Sequence, residues 1–378
     1  MRHSPVALVS VLMISAVFGQ ETVTLPAKPA NPHAGRVLAL REVFRLSDAQ
    51  GGFYFKGPSQ IKAVPDGGLL VADEDELLRF DAAGKFVVNM YRRGQGPGEL
   101  RQITDCLVRG AEVLAFQEQP MKCVVSGLDG KFLREFKPDA PVSRLLGLYG
   151  DRLLLASNTA IPFDKVKKPE GDILDIVWTL ALASPEGAVK ATSLAYATKW
   201  FAKRLPGAMI ADNMTFLLCA PLADGLVAVA NEEAYVIHIA DPAKDAAVRT
   251  IRRDYRRVKC EPEKPPDDPN APRRLSIPRD YHNDIQKLFA VDGQIWALTS
   301  TLVPDKGVLV DVIGPRGNYL DSFYLPLPKG ISVRDLARHP MTIAGRSLFL
   351  LEELEDGRLE VVKYEIIDPL PETVDPQG

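Results

Sequence analysis

The sequence predicts an all-β fold, a six-bladed β-propeller of four-stranded antiparallel blades, and three observations carry that expectation. A short β-rich run introduced by a polar or glycine turn recurs six times. Five of the six are followed by a second run broken by Asp, Pro or Gly, the signature of a hairpin. The last repeat is one strand short while a spare strand precedes the first, so pairing the two closes the ring and removes both free sheet edges. Helical solenoids are set aside because long stretches of 3.6 period are missing.

Taken in order, the chain opens on Met1-Arg2-His3 and the apolar run Val6 to Phe18, the layout of a secretory signal peptide over residues 1–19. Cleavage after Gly19 places Val17 and Gly19 at the small-residue positions the peptidase reads. Export to the periplasm or the outside is therefore expected. No later stretch reaches the roughly 18 consecutive apolar residues of a membrane helix, so no membrane insertion is expected. Residues 20–35 are Pro-rich and read as a disordered leader. The spare strand is Arg36 to Leu46, and the propeller spans 36–368 before a tail at 369–378.

The first runs fall at 68–73, 112–117, 152–157, 225–231, 294–299 and 346–352, and the turn-bearing runs at 80–86, 125–132, 182–189, 239–245 and 313–319. This spacing exceeds a minimal blade, so insertions are expected in loops, at 159–172 and 249–279. The second insertion holds ten basic residues, five acidic residues and six prolines, which bars a regular element through its middle.

At the end of the first repeat stands Arg92-Arg-Gly-Gln-Gly-Pro-Gly-Glu-Leu100. This segment, with the turn-bearing runs, resembles the NHL-like six-bladed propellers of exported bacterial proteins, whose blades often join through a Gly-x-Gly-Pro-Gly-Glu turn. The resemblance implies the fold more than a function, since its relatives include ligand-binding modules, scaffolds and a few lyases. Gly94, Gly96, Pro97, Gly98 and Glu99 are expected to form a tight inter-blade turn, with Gly96 or Gly98 at positive φ and Glu99 satisfying local amides. A phosphate cradle would need a helix after the glycines, and a strand at 102–108 follows instead.

The chemistry of the chain is sparse. Beyond the signal segment the histidines are His33, His238, His282 and His339, with no pair at metal-ligand spacing, and no Gly-x-Ser-x-Gly elbow exists. The zinc-dependent lyases that resemble this fold therefore find no matching histidine set here, and no metal site is expected. Net charge is -3, which gives no global field for nucleic acid. Cys106, Cys123, Cys219 and Cys260 allow either two disulfides or buried free thiols.

The innermost strands are expected to start near Gln60, Asp105, Arg144, Asn213, Asp284 and Arg334, and these residues to line the channel mouth as a ligand site. Two carboxylates beside two cations suit a small anion better than a calcium cage. The resulting expectation is a non-enzymatic binding or scaffold module without a cofactor. Its alternative is a hydrolase or lactonase using a divalent cation such as calcium at the channel. Strand alternation places the inter-blade loops and the turns after each second strand on one face, where a small molecule or protein partner is expected. That face should collect Asp73 to Glu76, Glu99, Glu118, Glu232, Glu233, Glu352, Glu353 and Glu355, and the basic insertion should pack on it as a lid.

Overall fold

The structure is a computed structural model that describes residues 21–48, 51–206, 208–261, 277–328 and 330–369. The signal segment 1–19, the end of the tail and the middle of the basic insertion, 262–276, lie outside the described residues. Six antiparallel sheets follow one another along the chain, at 58–89, 105–136, 144–213, 218–252, 285–325 and 341–367. They are the blades of a six-bladed β-propeller. Each blade has an antiparallel core of four strands running outward from the channel in sequence order, except that blade six supplies only three of its own.

The missing strand comes from the start of the chain, as the sequence predicts. Ala39–Leu46 pairs antiparallel with Leu359–Ile367, from Leu46 opposite Val361 to Ala39 opposite Ile367. Pairing gives the edge of blade six a partner for its backbone donors and acceptors. Side chains reinforce it: Arg45 Nη1 donates to Glu352 and to Glu360 at 2.7 Å each.

The leader is not disordered over its described part, which corrects the sequence reading. Glu21–Thr24 adds a parallel fifth strand to the outer edge of blade four, with Arg249 held by Glu21. Ala30, Asn31 and Gly35 then donate backbone hydrogen bonds to the outer strand of blade five. Arg36–Val37 forms a short parallel pair there, and Leu25 and Leu38 are both 4% exposed. Composition misleads at this point because Pro26, Pro29 and Pro32 fall in the link between the two paired segments and leave the backbone donors of both free to pair. The spare strand proper accordingly starts at Ala39.

The middle strands of the blades are mostly buried on both faces, and the core lies in the seams between neighbouring blades. Leu69–Asp73 is buried throughout, and the seam between blades six and one packs Leu46, Phe349 and Val361 against Ile61, Val71 and Phe80. Each such Leu or Phe contributes about 1.5–3 kcal/mol by leaving water. Polar side chains at the ends of the second strands stitch the incoming connections down. Asp73 accepts from the amides of Lys56 at 2.8 Å and Gly57 at 2.6 Å, and Gln117 accepts from Arg101 N.

The glycine segment between blades one and two is a tight turn. Gly98 has φ +73°, Glu99 accepts from Gly96 N at 2.9 Å, and Glu135 of blade two accepts from Gly98 N at 2.8 Å. A Cβ on Gly94 would stand 1.9 Å from the Glu99 carboxylate, so this glycine makes room for the side chain that caps its own loop. The four cysteines are free thiols, two of them buried.

Blade three departs most from the repeat. Its fourth strand, Val189–Leu205, is 17 residues long and overshoots the blade. A fifth strand, Ala208–Asn213, folds back along the overshoot from Ala208 opposite Leu205 to Asn213 opposite Trp200. A small cluster of Val166, Leu174 and Ala202 with Met209 and Ala211 supports the extension. The strand end delivers the chain to the channel mouth on the face of the inter-blade connections.

The start of the basic insertion is anchored, though not wholly where its charge pattern suggests. Arg257 lies 3.8 Å from Glu233 and 3.3 Å from Asp284, with its guanidinium 4.9 Å from the Tyr281 ring. Arg253 instead turns inward to the fully buried carboxylate of Asp311 and lies against the rings of Tyr235, Tyr255 and Tyr319. Glu352 is occupied by Arg45 and Tyr364, and Glu232 faces His238 at 3.3 Å.

Candidate functional site

Three consecutive inter-blade connections and the extension of blade three enclose a cavity of about 410 Å³ at the channel mouth. The fold makes this opening by bringing four chain segments to one side of the ring. Asp212 and Asn213 arrive on the returning strand and Phe216 on the connection into blade four. Arg279, His282 and Asn283 arrive on the connection into blade five, with Gln286 on its innermost strand. Arg334 and Asp335, on the short helix Val333–Leu336, and Arg338 just after it complete the wall. Ser332 caps that helix by accepting from Asp335 N at 3.3 Å.

Only two of the six predicted channel residues, Asn213 and Arg334, line this cavity, and neither stands on an innermost strand. Asn213 ends the fifth strand of blade three, since the innermost strand of blade four is Leu218–Pro221. Arg334 is helical, and the innermost strand of blade six is Met341–Ala344. The remaining four join blades to one another. Gln60 donates to Thr104 O at 2.8 Å and accepts from Cys106 N at 3.3 Å, which ties blade one to blade two. Asp105 accepts from Arg144 Nε at 2.9 Å and from Leu145 N at 3.0 Å, which ties blade two to blade three. Asp284 receives Arg257, and its backbone N–H donates to Glu233 O at 2.8 Å.

Three guanidinium groups and two carboxylates line the cavity, so positive charge prevails. Asp212 is occupied by Arg338, whose guanidinium also lies 5.4 Å from the Phe216 ring. Asp335 accepts from Ser332 Oγ at 2.7 Å. Burial, with Arg279 and Arg334 beside it, holds His282 below the usual imidazole range, so the ring is neutral at neutral pH. Asn283 Nδ2 donates to Met214 O at 3.0 Å, while its buried Oδ1 has no partner. Sequence reasoning missed Arg279, His282, Asn283 and Arg338. Their signal was an arginine followed within four residues by histidine or arginine in two successive connections.

Among the described residues, no group of three or more His, Cys, Asp or Glu comes together as metal ligands require. Asp105 and Asp284 each face an arginine rather than one another.

Burial pushes the Asp284 carboxyl up to about 6 despite Arg257. A raised carboxyl pKa means the folded state holds the proton more tightly than the unfolded one. Ionised Asp284 therefore costs stability that sets in as pH rises from about 4 through 6. Asp284→Asn is expected to raise unfolding stability by about 1–3 kcal/mol at pH 8 and by almost nothing at pH 4. Urea denaturation at the two pH values checks this, and an Asn variant weaker than the parent at pH 8 would contradict it.

Comparison with known proteins agrees with the architecture. A family model described as a 6-bladed beta-propeller matches residues 49–159. The crystal structure of a "Putative exported protein" from Bacteroides fragilis NCTC 9343 is similar at 11% identity with a TM-score of 0.51, covering 92% of this chain and 100% of that one. A member of the duf4221 family from Bacteroides vulgatus ATCC 8482 is similar at 12% identity with a TM-score of 0.49, covering 88% and 99%. No curated protein matches the chain. Among the described residues, no helix is long and apolar enough to cross a membrane.

Proposed function

We propose that this chain is an exported binding module that holds a small organic anion at the channel mouth. The observation that carries the reading is the convergence of Arg279, Arg334 and Arg338 with a neutral His282 on one 410 Å³ opening. Guanidinium groups are permanent donors with the planar geometry that carboxylates and phosphates match. The volume falls in the range of small-molecule sites, and the Phe216 ring gives the opening an apolar wall. Export is supported by the basic start and apolar run at residues 1–18 and by the fold shared with a protein described in those terms.

The test is thermal stability against carboxylates, phosphate and neutral sugars at constant ionic strength. An anion at about 100 times its Kd is expected to stabilise the parent by about 2.7 kcal/mol. Arg279→Gln combined with Arg334→Gln is expected to remove that gain. Anions that stabilise no more than chloride, or a double variant that responds like the parent, would refute the reading.

A further inference from the structure

We infer that the anion bound in this cavity also carries a hydrogen-bond donor, a hydroxyl or an amino group, close to its charged group. The inference rests on the anion-binding reading above and concerns what else the ligand must be. Arginine side chains only donate, so Arg279, Arg334 and Arg338 can meet an anion but cannot meet a hydroxyl or ammonium proton. Acceptors on the same wall could do so. Asp212 faces Arg338 and Asp335 faces Ser332, and the amides of Asn213 and Gln286 line the same wall.

Two further acceptors stand side by side. Asn283 is 5% exposed and lines the cavity, and its Oδ1 is buried without a partner. Its orientation is fixed, because turning the amide over would set Oδ1 against the carbonyl of Met214 that Nδ2 now meets at 3.0 Å. His282 stands beside it, and a neutral imidazole offers one nitrogen as an acceptor. A buried acceptor left unmade is costly, and a ligand that supplies the proton gains what a plain anion forgoes. At 410 Å³ the cavity exceeds the roughly 30 Å³ of a water many times over, so the donor can belong to the same organic molecule as the anion.

Isothermal titration of the full chain with three matched pairs tests this: propionate with lactate, succinate with malate, and glutarate with 2-hydroxyglutarate. The hydroxy acid is expected to bind about tenfold more tightly than its plain partner in the best-fitting pair. Asn283→Leu is expected to bring that ratio close to one, and the ratio is the readout because a general loss of affinity affects both acids of a pair alike. If the variant does not fold, the ratios measured on the parent chain decide alone. Equal affinities within every pair overturn the inference, with water filling the acceptor, and leave the anion reading standing. If none of the six acids binds, the inference is overturned for carboxylates, and the anion reading is decided by phosphate in the thermal test above.

Discussion

A chain lacking residues 36–46 is expected to aggregate or to lose most of its stability, because the deletion opens the ring where its first strand meets its last. Strand Ala39–Leu46 supplies the outer strand of blade six, and its removal leaves Leu359–Ile367 with an open row of backbone groups. Leu46 is fully buried in the seam with blade one, so the loss also uncovers Phe349 and Val361. Glu352 and Glu360 would lose Arg45 and stay partly buried without their cation. Deleting 21–35 alone should be milder, since it uncovers the outer edges of blades four and five but leaves the closure intact. Size-exclusion chromatography and thermal melting of the two truncations separate the cases. A 36–46 deletion that stays monomeric and melts with the parent would overturn the account.

Arg253→Met is expected to cost about 3–5 kcal/mol, the penalty for leaving a buried charge alone. Asp311 is fully buried, Tyr319 Oη donates to it at 2.6 Å, and Arg253 is its cationic partner. Burial already raises the Asp311 pKa. Without the arginine it rises further, and the folded state then takes up a proton that the unfolded state releases. The loss should therefore be larger at pH 8 than at pH 5. Replacing both residues, Arg253→Met with Asp311→Leu, should recover most of the stability, because no charge is then stranded. Denaturation of the two single variants and the double variant at both pH values measures this coupling. A single variant as stable as the parent would reduce the contact to an incidental one.

The two predictions differ in how far the sequence foretold them. Ring closure was legible because a strand count one short at the end and one over at the start has few solutions in a closed architecture. The burial of Arg253 was not. Arg252, Arg253, Arg256 and Arg257 look alike in a charge pattern, and only the seam between blades four and five selects one of them for Asp311. The candidate cavity failed in the sequence for a related reason. Its residues lie on connections, where neither period 2 nor hairpin chemistry assigns a place, so Asn213 and Arg334 were assigned to innermost strands they do not occupy. The leader was misread because proline content reports what a segment does alone, whereas its partners are strands more than two hundred residues away.

The joint between Ala39–Leu46 and Leu359–Ile367 also sets the order in which this molecule can be finished. The first strand of the ring waits for one more than three hundred residues later, from Leu46 opposite Val361 to Ala39 opposite Ile367. Such contacts come late and slowly, because loop-closure entropy must be overcome before they reward the chain. Blades one to five can zip locally as they emerge, yet any product cut short before residue 359 keeps an unpaired edge on each side of the gap. The closure is therefore all or none, since neither Ala39–Leu46 nor the last strand of blade six has its partner until both are in place.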